Sequence, residues 1–176
     1  HNAMALVYKQ DKQFDYNKID SVLSLALDSV QDPGNMGTIM RSAAWFGIEN
    51  IFCSPDCADL YNPKVIQSGM GAILHVNVFS VDLKELLEKA LLKNVRVFGA
   101  FLEGHSIYTH KLDPAGIILL GNESKGISDR LKPFVTDKIM ITGKGSNRPG
   151  IDSLNVGMAA SIVFSEFARQ NLNIDK

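Results

Sequence analysis

Apolar residues along this chain fall into two alternating patterns: short continuous runs, and stretches with apolar positions three or four apart. The runs at 22–27, 50–53, 76–81, 95–102, 116–120 and 135–141 predict strands, the first of them buried. Helical spacing predicts helices over 38–46, closed by Gly47, and over 64–70 after Asn62-Pro63. It also predicts 82–93 with Asp82 as N-cap, a short helix at 127–133, and a long one at 153–170 with Ser153 as N-cap. Strands alternating with helices imply an α/β domain with a mostly parallel sheet flanked by helices, because parallel neighbours need a crossover between them. Ligands of such sheets gather beyond the carboxyl ends of the strands. The loops after Leu27, Leu120 and Ile141 are therefore where chemistry is expected.

Composition narrows the class. With 176 residues, 45% hydrophobic and 21% charged, the chain suits one globular core. No apolar run approaches the roughly 20 residues of a membrane helix, and no secretory signal is visible, so a cytoplasmic protein without membrane contact is expected. Cys53 and Cys57 lack companion ligands at metal spacing; no metal is expected, and two free thiols suit a reducing compartment. His1-Asn2-Ala3, ahead of Met4, reads as an expression remnant, residues 4–20 as a polar linker or arm, and 21–176 as the domain. A net charge of −1 supplies little general attraction for phosphate and argues against a self-sufficient nucleic-acid binder.

The three loops carry unusual residues. After Asp28 comes Asp32-Pro33-Gly34-Asn35-Met36-Gly37, then Arg41. Turn and capping chemistry accounts for the acid, proline and glycines. Arg41, one helical turn beyond Gly37, is expected over the same loop beside Asn35, either as a surface residue or as a donor fork for phosphate or carboxylate. The second loop, Gly121-Asn122-Glu123-Ser124-Lys125-Gly126, follows an apolar strand directly, with glycines that allow close backbone approach. It lacks the spacing of the usual nucleotide-phosphate loops. The third runs from Ile139-Met140-Ile141 through a Gly-, Asn- and Pro-rich stretch to Ser153-Leu154-Asn155-Val156. The final helix is apolar over more than one face, which suggests burial against both the sheet and another subunit.

In this order the three loops resemble the three motifs of the SpoU (TrmH-like) branch of the SPOUT RNA methyltransferases. The matches are an acidic-Pro-x-Asn-x-Gly-x-x-x-Arg turn at 32–41, Gly-x-Glu-x-x-Gly at 121–126, and Ile139–Ile141 with Ser-Leu-Asn-Val at 153–156. Met140 departs from the family's usual proline, and the loop 142–152 is longer than the common form. The resemblance implies a C-terminal deep trefoil knot, a homodimer built on the last helix and the helix near Thr38, and an N-terminal RNA-binding domain in a longer protein. It implies S-adenosylmethionine as methyl donor, contacted by Gly121, Ile139, Ile141 and Leu154, and methylation of a ribose 2′-hydroxyl in ribosomal or transfer RNA. Arg41, Asn35, Glu123, Ser153 and Asn155 would be the catalytic set. Arg41 would anchor phosphate and stabilise the forming alkoxide, and Ser153 and Asn155 would complete the set, across the dimer. Glu123 would be either a base or a structural acceptor. Arg41, Lys125, Lys144 and Arg148 would meet RNA. A base methyltransferase with the same knot, a non-catalytic RNA-binding partner, and an unrelated nucleotide-binding domain are the rival readings.

Overall fold

A computed structural model describes residues 13–143 and 153–171. Six strands form one sheet in the order β3-β2-β1-β5-β4-β6: β1 (Leu23–Leu27), β2 (Asn50–Cys53), β3 (Asn77–Ser80), β4 (Val97–Ser106), β5 (Gly116–Leu120) and β6 (Asp137–Met140). Every pairing is parallel. The central strands β1 and β5 are almost wholly apolar and buried on both faces, as a parallel sheet covered by helices requires. The helices are α1 (Pro33–Trp45), α2 (Pro63–Gly69), α3 (Leu83–Leu92) and α4 (Val156–Asn171).

Alternation of side chains along the strands splits the core in two. Leu25, Leu27, Ile51 and Ile118 face α1 and α4, where Phe98 and Phe167 meet edge to face at 5.0 Å. Ala26, Phe52, Ile117 and Leu119 face the other layer with Leu83, Leu86 and Leu87 of α3. Residues 13–20 of the polar arm pack on this second layer. Phe14 meets Phe52 edge to face at 4.8 Å, and Ile19 is buried. At the outer edge Arg96 ties β6 down through Asp137 and reaches Asp113 at 2.7 Å, with His110 at 3.0 Å from Asp137.

Several boundaries differ from expectation for local reasons. Helix α1 begins at Pro33 rather than 38, because the Asp32 carboxylate caps it by accepting from Asn35 N–H at 2.8 Å and proline fits the first turn. The helix expected at 127–133 is absent. The chain forms only a one-turn 3₁₀ element, Lys132–Phe134, because Ser128 N–H is held by the Asp28 carboxylate at 2.7 Å and Pro133 cannot extend a helix. Helix α4 starts at Val156, and its cap is Asn155, not Ser153: Asn155 Oδ1 accepts from Gly157 and Met158 N–H at 2.9 and 3.2 Å. The expected knot depends on the path from β6 to α4, and its residues 144–152 lie outside the described residues.

Candidate functional site

The loops after β1 and β5 and the start of α4 meet at the carboxyl side of the sheet, joined by side-chain hydrogen bonds. The Glu123 carboxylate accepts from Asn35 Nδ2 at 3.1 Å and from Asp32 N–H at 3.2 Å. The other end of the Asn35 amide, Oδ1, accepts from Asn155 Nδ2 at 2.8 Å. One side chain from each loop thus forms a chain of donors and acceptors, Asn155 to Asn35 to Glu123, within the one polypeptide. Asn155 was expected to act across a dimer; here its amide is committed to its own chain.

Each member is fixed from behind. Asn35 is in the first turn of α1, its N–H on the Asp32 cap. Asn122 Nδ2 donates to Ser29 carbonyl at 2.8 Å, and Asn122 and Gly126 exchange both backbone hydrogen bonds at 3.0 and 2.9 Å. The loop folds back so tightly that a Cβ on Gly121 would lie 2.1 Å from the Gly126 carbonyl carbon. Glycine is required there by the chain's own backbone. Asp28, buried, anchors the far side of the loop through Ser128. Neither Asp28 nor Asn122 stood out as functional in the sequence. The signal available was a polar residue within two positions of the end of each of two apolar strands.

Electrostatics decides what Glu123 can do. Burial pushes its carboxyl up, but hydrogen bonds from Asn35 and from backbone N–H groups, Asp32's among them, outweigh burial and hold it below its ordinary value. A carboxylate so satisfied is a poor proton acceptor and a good structural one.

The other expected residues are more dispersed. Arg41 does not lie beside Asn35. Six positions along a helix is a rotation of about 240°, and its Nη1 donates instead to the thioether of Met70, at the end of α2. No acidic side chain among the described residues pairs with Arg41. Its surroundings are a concavity of about 220 Å³ lined by Trp45, Gly69, Met70 and His75. Ile139 is fully buried and Ile141 partly so, whereas Leu154 is 49% exposed next to the α4 cap. Ser153 and Lys125 are exposed; Lys144 and Arg148 lie outside the described residues. The helices expected to form a subunit interface, α1 and α4, pack on each other within the chain, with Ser42 Oγ donating to Ser161 Oγ at 2.8 Å. The wide apolar arc of α4 is largely consumed by this core, leaving Met158 as its exposed large apolar residue.

Comparison with known proteins gives concordant findings. The model of the SpoU rRNA methylase family matches residues 22–165. The 23S rRNA (guanosine(2553)-2′-O)-methyltransferase of Bacillus subtilis is 29% identical over 140 residues, covering 79% of this chain and 55% of that protein. The structure of a putative RNA methyltransferase of the TrmH family from Porphyromonas gingivalis superposes with a TM-score of 0.78 at 39% identity, over 85% of this chain and 60% of that one. An AdoMet-bound rRNA methyltransferase from Sinorhizobium meliloti gives a TM-score of 0.78 at 26% identity, over 88% and 58%. The chain spans about half the length of the curated relatives it matches.

Proposed function

The chain belongs to the SpoU rRNA methylase family, and on that premise we propose that it transfers the methyl group of S-adenosylmethionine to a ribose 2′-hydroxyl of ribosomal or transfer RNA. The observation that carries this reading is the Asn155–Asn35–Glu123 chain, which unites the three motif loops in one rigid network. Support comes also from the relatives, one named as a 2′-O-methyltransferase and another solved with AdoMet.

The residues present fit an adenosine-bearing donor. Leu154 and Ile141 put apolar surface at a strand exit, where a flat aromatic base would cover it, and Gly121 lets the loop 121–126 fold back tightly beside it. We assign donor contacts to Gly121, Ile141 and Leu154, with Ile139 contributing backbone only, its side chain being buried. When bound, the sulfonium supplies a methyl already activated for transfer, so the protein's task is placement. Asn35, oriented at both ends by Glu123 and Asn155, holds the ribose. The Arg41 guanidinium anchors the neighbouring phosphate and stabilises negative charge developing on the 2′-oxygen. Ser153 and Lys125 line the approach; Lys144 and Arg148 are assigned to RNA from sequence alone. The net charge of −1 leaves much of RNA capture to parts outside this domain, as relatives about twice as long allow.

We also propose a homodimer. Trp45, Met70 and Leu74 are 84%, 71% and 80% exposed, and the first two surround Arg41. A second subunit covering them would place the guanidinium in a drier site, where it acts more strongly on an anion.

The test is transfer of labelled methyl from S-adenosylmethionine to unmodified ribosomal and transfer RNA, followed by nucleoside analysis. Arg41→Ala should lower transfer by about a hundredfold or more while leaving donor binding within a few-fold. A label on a base would redirect the reading to base methylation. Absence of donor binding at millimolar concentration would end the enzyme reading.

A further inference from the structure

Beside the network, at the carboxyl ends of β1 and β2, lie the two cysteines. Cys53 closes β2, and its partner across the β1–β2 ladder is Leu27. The chain then turns back at once, with Cys57 N–H donating to Ser54 carbonyl at 3.1 Å. That turn returns the Cys57 thiol to the same rung. It donates to the carbonyl of Leu27 at 3.3 Å and lies 3.5 Å from Ser54 Oγ. Both sulfurs belong to the apolar cluster on the α1 side of the sheet. Cys53 is 5% exposed, while Cys57 is partly open to solvent.

The turn that carries Cys57 also holds the candidate site. Ser54 Oγ accepts from Ser29 N–H at 2.8 Å and donates to Asp56 at 2.6 Å. Ser29 Oγ donates to the same Asp56 carboxylate, and Ser29 keeps a left-handed φ of 58°. Such a conformation in a non-glycine residue persists only while its surroundings hold it. The Ser29 carbonyl is the acceptor that fixes Asn122.

We propose that Cys53 and Cys57 form a redox-responsive thiol pair that closes reversibly to a disulfide under a hydroperoxide and, in closing, loosens the loop 121–126 of the candidate site. The partly exposed Cys57 thiolate attacks the O–O bond of hydrogen peroxide, becoming a sulfenic acid and releasing hydroxide, which takes up a proton to leave as water. The Cys53 sulfur then attacks Cys57 Sγ. The S–S bond forms, the S–O bond breaks, and a second water leaves with the Cys53 proton. Two thiols are oxidised and one peroxide is reduced. The division of labour matches the two environments. Hydrogen bonding with the Cys53 thiol lowers the Cys57 thiol to about 7, while hydrogen bonding to Cys57 and burial raise Cys53. Closure withdraws Cys57 Sγ from Leu27 and Ser54, shifts the turn bearing Asp56, and so releases Ser29 and the Asn122 anchor.

Both steps are read without reference to methyl transfer. Tryptic cleavage after Arg41 and Lys64 yields a peptide, residues 42–64, that contains both cysteines and no methionine. After brief treatment of the folded protein with hydrogen peroxide, this peptide should lose about 2 Da, the two thiol hydrogens, and regain them with dithiothreitol. Amide hydrogen exchange at 122–126 should then be several-fold faster in the oxidised protein than in the reduced one. Cys57→Ser should show neither change under the same treatment. A peptide that keeps two alkylatable thiols, or that only gains oxygen, would overturn the pair. A disulfide that leaves exchange at 122–126 unchanged would overturn its coupling to the site.

Discussion

At the scale of single residues, two carboxylates with depressed pKa values serve different ends. Glu123 is occupied by Asn35 and by backbone donors, so its charge is spent on holding geometry. Glu123→Gln keeps the shape but turns an amide group toward donors, so both S-adenosylmethionine affinity and methyl transfer should fall together, by about tenfold. Loss of transfer with unchanged donor affinity, measured by calorimetry beside the transfer assay, would instead make Glu123 a base. Asp137 anchors the sheet edge. Burial raises its carboxyl, but bonds from Arg96, Thr136 and His110 prevail and hold it at about 2, against an ordinary 3.8. A folded pKa below the unfolded one stabilises above the unfolded value and is lost as pH falls toward the folded one. The contribution, at most about 2 kcal/mol, should therefore be complete above about pH 4 and disappear between about 4 and 2. Denaturant unfolding across that range should show the acid limb, and Asp137→Asn should flatten it.

At the scale of elements, the crossing of α1 on α2 places the motif. A Cβ on Gly37 would lie 2.0 Å from Ser68 Oγ and 2.6 Å from the Val65 carbonyl. Ser68 can rotate away; the backbone of α2 cannot. Gly37→Ala should therefore part the helices and cost about 1–3 kcal/mol, read as a lower unfolding midpoint. It should also weaken the Arg41–Met70 contact, which spans the same crossing. Elements of this kind were legible where cap and periodicity agreed: Asp82 before the Leu83, Leu86, Leu87 stripe gave α3 nearly to the residue. Legibility failed where one residue type serves two purposes. Asp-Pro-Gly-Asn reads as a turn, yet Asp32 and Pro33 open a helix. Apolar Ile127 and Leu131 suggested a helix, but they fill the core from an irregular segment whose backbone is fixed by Asp28, a hundred residues away in the chain. Membership of Asn35, Glu123 and Asn155 in one site followed from motif order. Arg41's turn away from them did not, because helical phase relative to a neighbouring helix is set by packing.

At the scale of the whole molecule, the features of the single chain point outward. The Asn35 network is complete within the chain, but Arg41 is bonded elsewhere, on a surface where Trp45 and Met70 remain exposed. Large apolar side chains grouped around a guanidinium that no acid among the described residues pairs are costly to leave in water, and such a group is a face that a second copy would cover. If a second copy covers this face, Arg41 of one subunit can approach the network of the other, and neither subunit alone would hold a complete site. Trp45→Glu tests the idea cleanly. At 84% exposure the side chain contributes little to its own subunit's core, so the substitution should change monomer stability by no more than about 0.5 kcal/mol. In an interface, a buried unpaired carboxylate would be prohibitive. Sedimentation at micromolar concentration should therefore give a dimer for the parent protein and a 19.3 kDa monomer for the variant. Methyl transfer by the variant should be lost even though its circular dichroism and unfolding midpoint are retained. Mixing it with Arg41→Ala protein adds a sharper criterion: a site shared between subunits can be partly restored in a mixed dimer only if that dimer forms, so recovery should appear with Arg41→Ala paired to a variant disabled at Asn35, and not with Trp45→Glu. Recovery in neither mixture, with dimers present, would place Arg41 and Asn35 in the same subunit's site.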